Sequence, residues 1–333
     1  MSLKQIGTTA VQAFRGSRIS PKAEIGQRVE LGKHLKIGKN ACIEGGAKIE
    51  DYAVIGSEAR VGKNSGLERF AEIGANCRIG DNTKVKFNAG VKAGSRLGND
   101  CSLGGWSRVA EDCRIDDHVI INNQCQIGKQ AGIGAFTELL GFTVVGEGAK
   151  LGQGCVTLYE CEIGADAQLG AYTLLAEKAK VEENCQLGNL VFIGSQSSVG
   201  KKSRLEDGVK IKDFVKLGIE EQIGSQALIE NRAEIYSGCR IGEKAQIGFN
   251  TFLGTDCVIG RETEIGQKAY VSYETEVGDR TVIENNVNLG HNVKVGSGVR
   301  IKYNARIEDG CLIPDGATVT RGAKITNPFK KQK

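Results

Sequence analysis

A hydrophobic position recurs every six residues along this chain. From Ile19 through Ile25, Leu31, Ile37 and Ile43 to Ile325, 51 of 52 such positions are Ile, Leu or Val, and the exception is Thr157. A period of six does not fit the 3.6-residue helical turn, but it is a multiple of two and so keeps the in-and-out alternation of extended chain. Each hexad therefore predicts a short strand followed by a bend. Two residues before each aliphatic lies a second inward position that takes small side chains, among them Ala41, Ala47, Cys77, Thr83 and Thr137. Only Leu35 and Glu221 depart there from Ala, Ser, Thr, Cys or Val. A carboxylate is costly to bury unpaired, so a local distortion is expected around Gly218 to Ile223.

A longer period is carried by the residue after each aliphatic. It is Gly in 28 of the 52 hexads, but in the class containing Ile49, Leu67, Val85, Leu139 and Ile211 only in 5 of 17. Three strands per turn with one distinct face predict an 18-residue coil, and a period fixed over a whole chain predicts a solenoid. Strands of successive coils stack about 4.8 Å apart, so about 17 coils make a rod on the order of 80 Å long. The fold class read from the pattern is all-β, a single triangular parallel β-helix without large inserted loops. Residues 1–18 read as an N-terminal cap segment, 19–325 as the solenoid and 326–333 as a basic C-terminal tail.

Composition narrows the function classes. The chain has 44 Lys and Arg against 40 Asp and Glu, a net charge of +4, spread without blocks. Neither a basic stripe with interleaved aromatics nor a long apolar run is visible, so neither nucleic-acid binding nor a membrane span is expected. The first 18 residues lack the apolar stretch of a signal peptide, and a cytoplasmic location is expected. Ten of the eleven cysteines, Cys42 apart, occupy the small inward position. With no CxxC spacing they read as buried small apolar residues and reduced thiols, without a metal role.

Units such as IGKNACIEGG (37–46) and IGANCRIGDN (73–82) resemble the hexapeptide-repeat family over about residues 17–325. The resemblance implies a left-handed parallel β-helix, and commonly an acyl- or acetyltransferase with a His as general base on an amine or hydroxyl acceptor. Imidazole suits that task because it titrates near neutrality. The three candidates, His34, His118 and His291, fall by the 18-residue count on three different faces, which does not support a three-His metal site. Around His291 the stretch Val287, Asn288, Leu289, Gly290, His291, Asn292 resembles the catalytic segment of UDP-3-O-acylglucosamine N-acyltransferases, with Gly290 in place of the family's Ala. The resemblance implies that His291 is the base. Residues 18 apart are axial neighbours, so Tyr273 and Asp309 flank it, and Asp309 is expected to orient the ring or raise its basicity. Lys294, Arg300 and Lys302 are expected close enough to serve the phosphate of an acyl-CoA or acyl carrier protein co-substrate, and the acceptor implied is a sugar nucleotide. An earlier stretch, Ile121 to Gly128, resembles the same segment but carries Lys129 where the His would stand.

Two readings stay open. One is acyl transfer at His291, in a cleft formed between subunits of a homotrimer. The other is a non-catalytic scaffold or assembly subunit whose contact is an aromatic edge: Phe70, Trp106, Phe142 and Phe214 share one hexad class and fall at bends, where an interface is expected. The unbroken register leaves no room for a loop that closes over a substrate, which favours the scaffold.

Overall fold

The computed structural model describes residues 16–326, so most of the cap segment and nearly all of the basic tail lie outside the described residues. Among the described residues all regular structure is β: 52 two-residue strands, from Arg18–Ile19 to Lys324–Ile325, in about 17 three-strand turns. The chain divides at Asp166/Ala167 into two compact units. Each is a parallel β-solenoid built from three sheets, here called A, B and C. In the first unit A includes Lys36–Ile37 and Val54–Ile55, B includes Cys42–Ile43 and Arg60–Val61, and C includes Lys48–Ile49 and Gly66–Leu67. Partners are 18 residues apart, as in Ile37↔Ile55 and Ile43↔Val61. The second unit repeats this, with Asn288–Leu289 in A, Lys294–Val295 in B and Arg300–Ile301 in C.

The two inward positions of each hexad make the core. Ile55, Val61, Leu67 and Ile73 are at most 1% exposed, as are Ala53, Ala59, Ser65 and Ala71 in the small position. Thr157 fits among the aliphatics because its hydroxyl pairs with Thr143 Oγ1 at 3.0 Å, which satisfies both buried groups. The cysteines correct a detail of the sequence reading. They are free thiols, but more than apolar filler: Cys77 donates to the carbonyl of Lys92 at 2.9 Å and Cys113 to that of Gly128 at 3.0 Å. Ser95 and Thr83 make the equivalent bonds to Ala110 and Gly98, so thiol and hydroxyl interchange at this position. Burial pushes the Cys125 thiol up to about 11, which keeps it protonated and unreactive.

The corners explain the glycines. A Cβ on Gly56 would lie 2.4 Å from the Ala75 nitrogen and 2.6 Å from the Gly74 carbonyl carbon, so the backbone of the next coil occupies that space. Gly56→Ala is therefore expected to lower the free energy of unfolding by about 1–3 kcal/mol in urea denaturation. In the Gly-poor class a carboxylate is used instead: Glu50 and Glu68 accept the backbone N–H of Arg69 and Phe87 at 3.2 and 2.8 Å. Most corners also hold a residue with positive φ, and many of these are neither Gly nor Asn. Leu190 is one, with φ 57° and 64% exposure. Left-handed backbone costs an L-residue about 1–2 kcal/mol, partly offset in Gly by greater freedom when unfolded. Leu190→Gly is expected to raise the unfolding free energy by about 0.5–1 kcal/mol, read from the denaturation midpoint.

The two exceptions in the small position coincide with the corners that differ. Residues 33–34, before Leu35, and 219–220, before Glu221, form open bends where nearly all other corners are hydrogen-bonded turns. Just before the second, Ser198↔Lys216 pairs without the Val199↔Leu217 pair that would follow it. This is the expected distortion. Glu221 is fully buried, and neither carboxylate oxygen has a hydrogen-bond partner among the described residues. Burial pushes its carboxyl up to about 9, so it is held as the neutral acid.

Candidate active site

His291 sits at the corner between the sheet A strand Asn288–Leu289 and the sheet B strand Lys294–Val295. Its neighbours fix it from both sides along the solenoid. Asp309, one coil on, lies so close over Gly290 that a Cβ there would meet Asp309 Oδ1 at 2.3 Å. This is why Gly stands where the resembled segment has Ala. Asp309 Oδ1 accepts the His291 backbone N–H at 3.0 Å. The same bond recurs elsewhere: Asp51 accepts from the Lys33 N–H, Asp279 from that of Arg261 and Asp315 from that of Ser297, at 2.7–2.8 Å. Asp309 thus closes a corner and sets where His291 begins, through the main chain.

The ring is oriented from the coil before. Ser272 Oγ and His291 Nδ1 are 2.6 Å apart, and the Tyr273 ring stacks on the imidazole with centroids 3.7 Å apart at 24°. Ser272 is 1% exposed while Tyr273 is 46% exposed, so the pair joins the solenoid wall to solvent. The Tyr273 carbonyl also accepts the Asn292 N–H at 3.1 Å. Ser272 was not singled out by the sequence reading. Its signal was present, because it follows Val271 in the position that Gly fills most often. The hydroxyl there comes within hydrogen-bond distance of Nδ1.

The three cations placed near His291 by counting are not brought together. Lys294 is on sheet B and pairs with Glu276 at 3.3 Å, an exposed pair of little energetic weight. Arg300 is on sheet C, and Lys302 follows at the next corner. The other two histidines lie in the first unit, in aromatic stacks: His34 on Tyr52 at 4.7 Å and 12°, His118 on Phe136 at 4.8 Å and 10°. His34 follows a sheet C strand, His118 a sheet B strand and His291 a sheet A strand, the three classes expected.

Phe70 and Trp106 are in a longer array than the sequence indicated. His34, Tyr52, Phe70, Phe87 and Trp106 form a chain of neighbouring rings 4.7–5.7 Å apart, on the corner after sheet C. Phe142 lies on the corresponding corner further along and is also exposed. Phe214, in the second unit, follows a sheet C strand and lies under the Arg232 guanidinium at 5.9 Å.

Among the described residues no helix is long and apolar enough to cross a membrane. Residues 274–309 match the family model described as bacterial transferase hexapeptide, six repeats. No curated protein matches the sequence. Among solved structures, a UDP-N-acetylglucosamine acyltransferase is similar at 22% identity, over 50% of this chain and 67% of that one, with a TM-score of 0.32. LpxA from Acinetobacter baumannii is similar at 20% identity over 49% and 66%, with a TM-score of 0.32. The Arabidopsis UDP-N-acetylglucosamine acyltransferase is similar at 16% over 57% and 69%, with a TM-score of 0.28. The chain spans about two thirds of each of these structures. By its six-residue period and its three-sheet coils the chain is a β-solenoid of hexad repeats, and the stretch that contains His291 and Asp309 is similar to the bacterial transferase hexapeptide.

Proposed function

We propose that this protein is an acyltransferase that moves an acyl or acetyl group from a thioester carrier to an amine or hydroxyl of a sugar-type acceptor, with His291 as general base. The observation that carries the reading is the hydrogen bond between Ser272 and His291, the histidine that lies within the residues, 274–309, matched by the transferase model. When Nδ1–H donates to Ser272 Oγ, the lone pair is left on Nε2, the atom that must take the acceptor's proton. Stacking on Tyr273 fixes the ring plane. The base deprotonates the acceptor as its nitrogen or oxygen attacks the thioester carbonyl; the thiolate leaves and takes up a proton. Asp309 supports this through the backbone of His291, and Lys294 is the cation nearest along the chain for a phosphate of the carrier. The test is a screen of the purified chain with acyl-CoA and acyl carrier protein thioesters against sugar nucleotides, reading release of free thiol. Thiol release that needs both acceptor and His291 supports the proposal, and release unchanged in His291→Ala removes it.

A scaffold role has its own support in the exposed ring array from His34 to Trp106. If that edge is a contact, the protein self-associates, and Phe70→Ser with Trp106→Ser shifts the mass measured by light scattering to that of a monomer. A wild-type chain that is monomeric at high concentration counts against this reading and against a site shared between subunits.

A further inference from the structure

Four arginines of the first unit, far apart in the sequence, stand on consecutive strands of sheet B. Arg60, Arg78, Arg96 and Arg114 are paired in register, Arg60↔Arg78↔Arg96↔Arg114, and all four are exposed. Their strands repeat about every 4.8 Å, a spacing at which like charges directly opposite one another destabilise a sheet. Arg114 has a counter-ion, Asp116 at 3.0 Å. Among the described residues no ion pair offsets Arg60, Arg78 or Arg96. No basic stripe is visible along the sequence; the 18-residue coil assembles one across it.

The surface beside the stripe is recessed. Gly62, Gly80 and Gly98 follow the inward aliphatics of these strands, and an open trough of about 660 Å³ runs past Arg78, Gly80, Arg96, Gly98 and Arg114. Asn99, Asp116 and Asp117 also line it, and Asp81 stands one coil before Asn99. Asp81, Asn99 and Asp117 each accept a backbone N–H of the preceding coil on one side-chain oxygen at 2.7–2.8 Å and keep further hydrogen-bonding capacity. No aromatic ring lines the trough.

We infer that this trough binds a linear acidic polysaccharide with one carboxylate on each sugar. The guanidinium fork matches a carboxylate in bidentate fashion, and the rung spacing is close to the length of one sugar ring with its glycosidic link. The rim carboxylates and amide accept hydrogen bonds from sugar hydroxyls. Without rings there is no platform on which bases could stack, so the polysaccharide fits where a single-stranded nucleic acid does not.

The probe is a fluorescent oligogalacturonate, titrated by anisotropy at low and moderate salt into the full chain, beside neutral dextran, an oligothymidylate and polyglutamate. The expected result is saturable binding to the oligogalacturonate, weakened by salt, absent for dextran, and about tenfold or more weaker in Arg78→Gln/Arg96→Gln. That variant is expected to unfold at a higher temperature than wild type when no ligand is present, because the charge repulsion is gone, which separates lost binding from lost fold. His291→Ala is expected to bind as wild type does. No binding at low salt, equal binding by the double variant, or tighter binding of oligothymidylate or polyglutamate overturns the inference.

Discussion

Glu221→Ala is expected to raise the free energy of unfolding by about 2–4 kcal/mol at neutral pH. Alanine is a frequent residue at the equivalent inward position, as at Ala227 and Ala233, so no unusual cavity follows. The Glu221 N–H, which donates to Ser203 Oγ at 3.2 Å, is unaffected. What is removed is a buried carboxyl with neither oxygen paired. Its folded pKa is raised, to about 9 from an ordinary 4.5. Above pH 4.5 the unfolded chain releases this proton while the folded chain keeps it. The stability is therefore fully present below pH 4.5 and is lost as pH rises towards 9, at about 1.4 kcal/mol per pH unit. Urea unfolding of wild type and variant at pH 5, 7 and 8.5 reads both effects. The gap between the two proteins should widen with pH. A variant that is less stable, or a gap independent of pH, contradicts this assignment.

The second large effect belongs to the site. Removing the imidazole in His291→Ala is expected to lower acyl transfer by about 10²–10⁴-fold, the range of a general base. Ser272→Gly restores the commonest residue of that position and leaves the corner's backbone bonds in place, so the fold should be unchanged. The ring then loses the partner that fixes its tautomer, and transfer should fall by about 10–100-fold, by analogy with the loss of a group that orients a metal-bound histidine. Ser272→Thr should recover most of it by keeping the hydroxyl. If Ser272 were only structural, Gly and Thr would give equal rates.

The fold was legible because stacking imposes itself on every hexad. The inward ladder, the three-strand coil and even the strain at Glu221 followed from which residues can be buried, and the open bend at 219–220 lies where the one charged inward residue made it necessary. The site was legible in part. Counting by 18 correctly made Tyr273 and Asp309 neighbours of His291. It could not say that Asp309 faces the main chain, since that depends on how closely one coil overlies Gly290. Ser272 was missed because a hydroxyl in a glycine position looks like ordinary variation until the ring is seen against it. The same count had placed Lys294, Arg300 and Lys302 close to His291, but they stand on successive strands and corners beyond it. The arginine stripe is the converse case, since a feature that exists only across coils leaves no trace in neighbouring residues. Tyr52 and Phe87 joined Phe70 and Trp106 for that reason too.

His291 as the base of an acyl transfer is open to direct test. The measurement is the initial rate of thiol release from an acyl thioester in the presence of a sugar-nucleotide acceptor, for wild type and His291→Ala at equal concentration, with unfolding midpoints confirming that both are folded. If His291 is the base, the wild type shows acceptor-dependent release and the variant loses at least about 100-fold of it. Equal rates in the two folded proteins would contradict it.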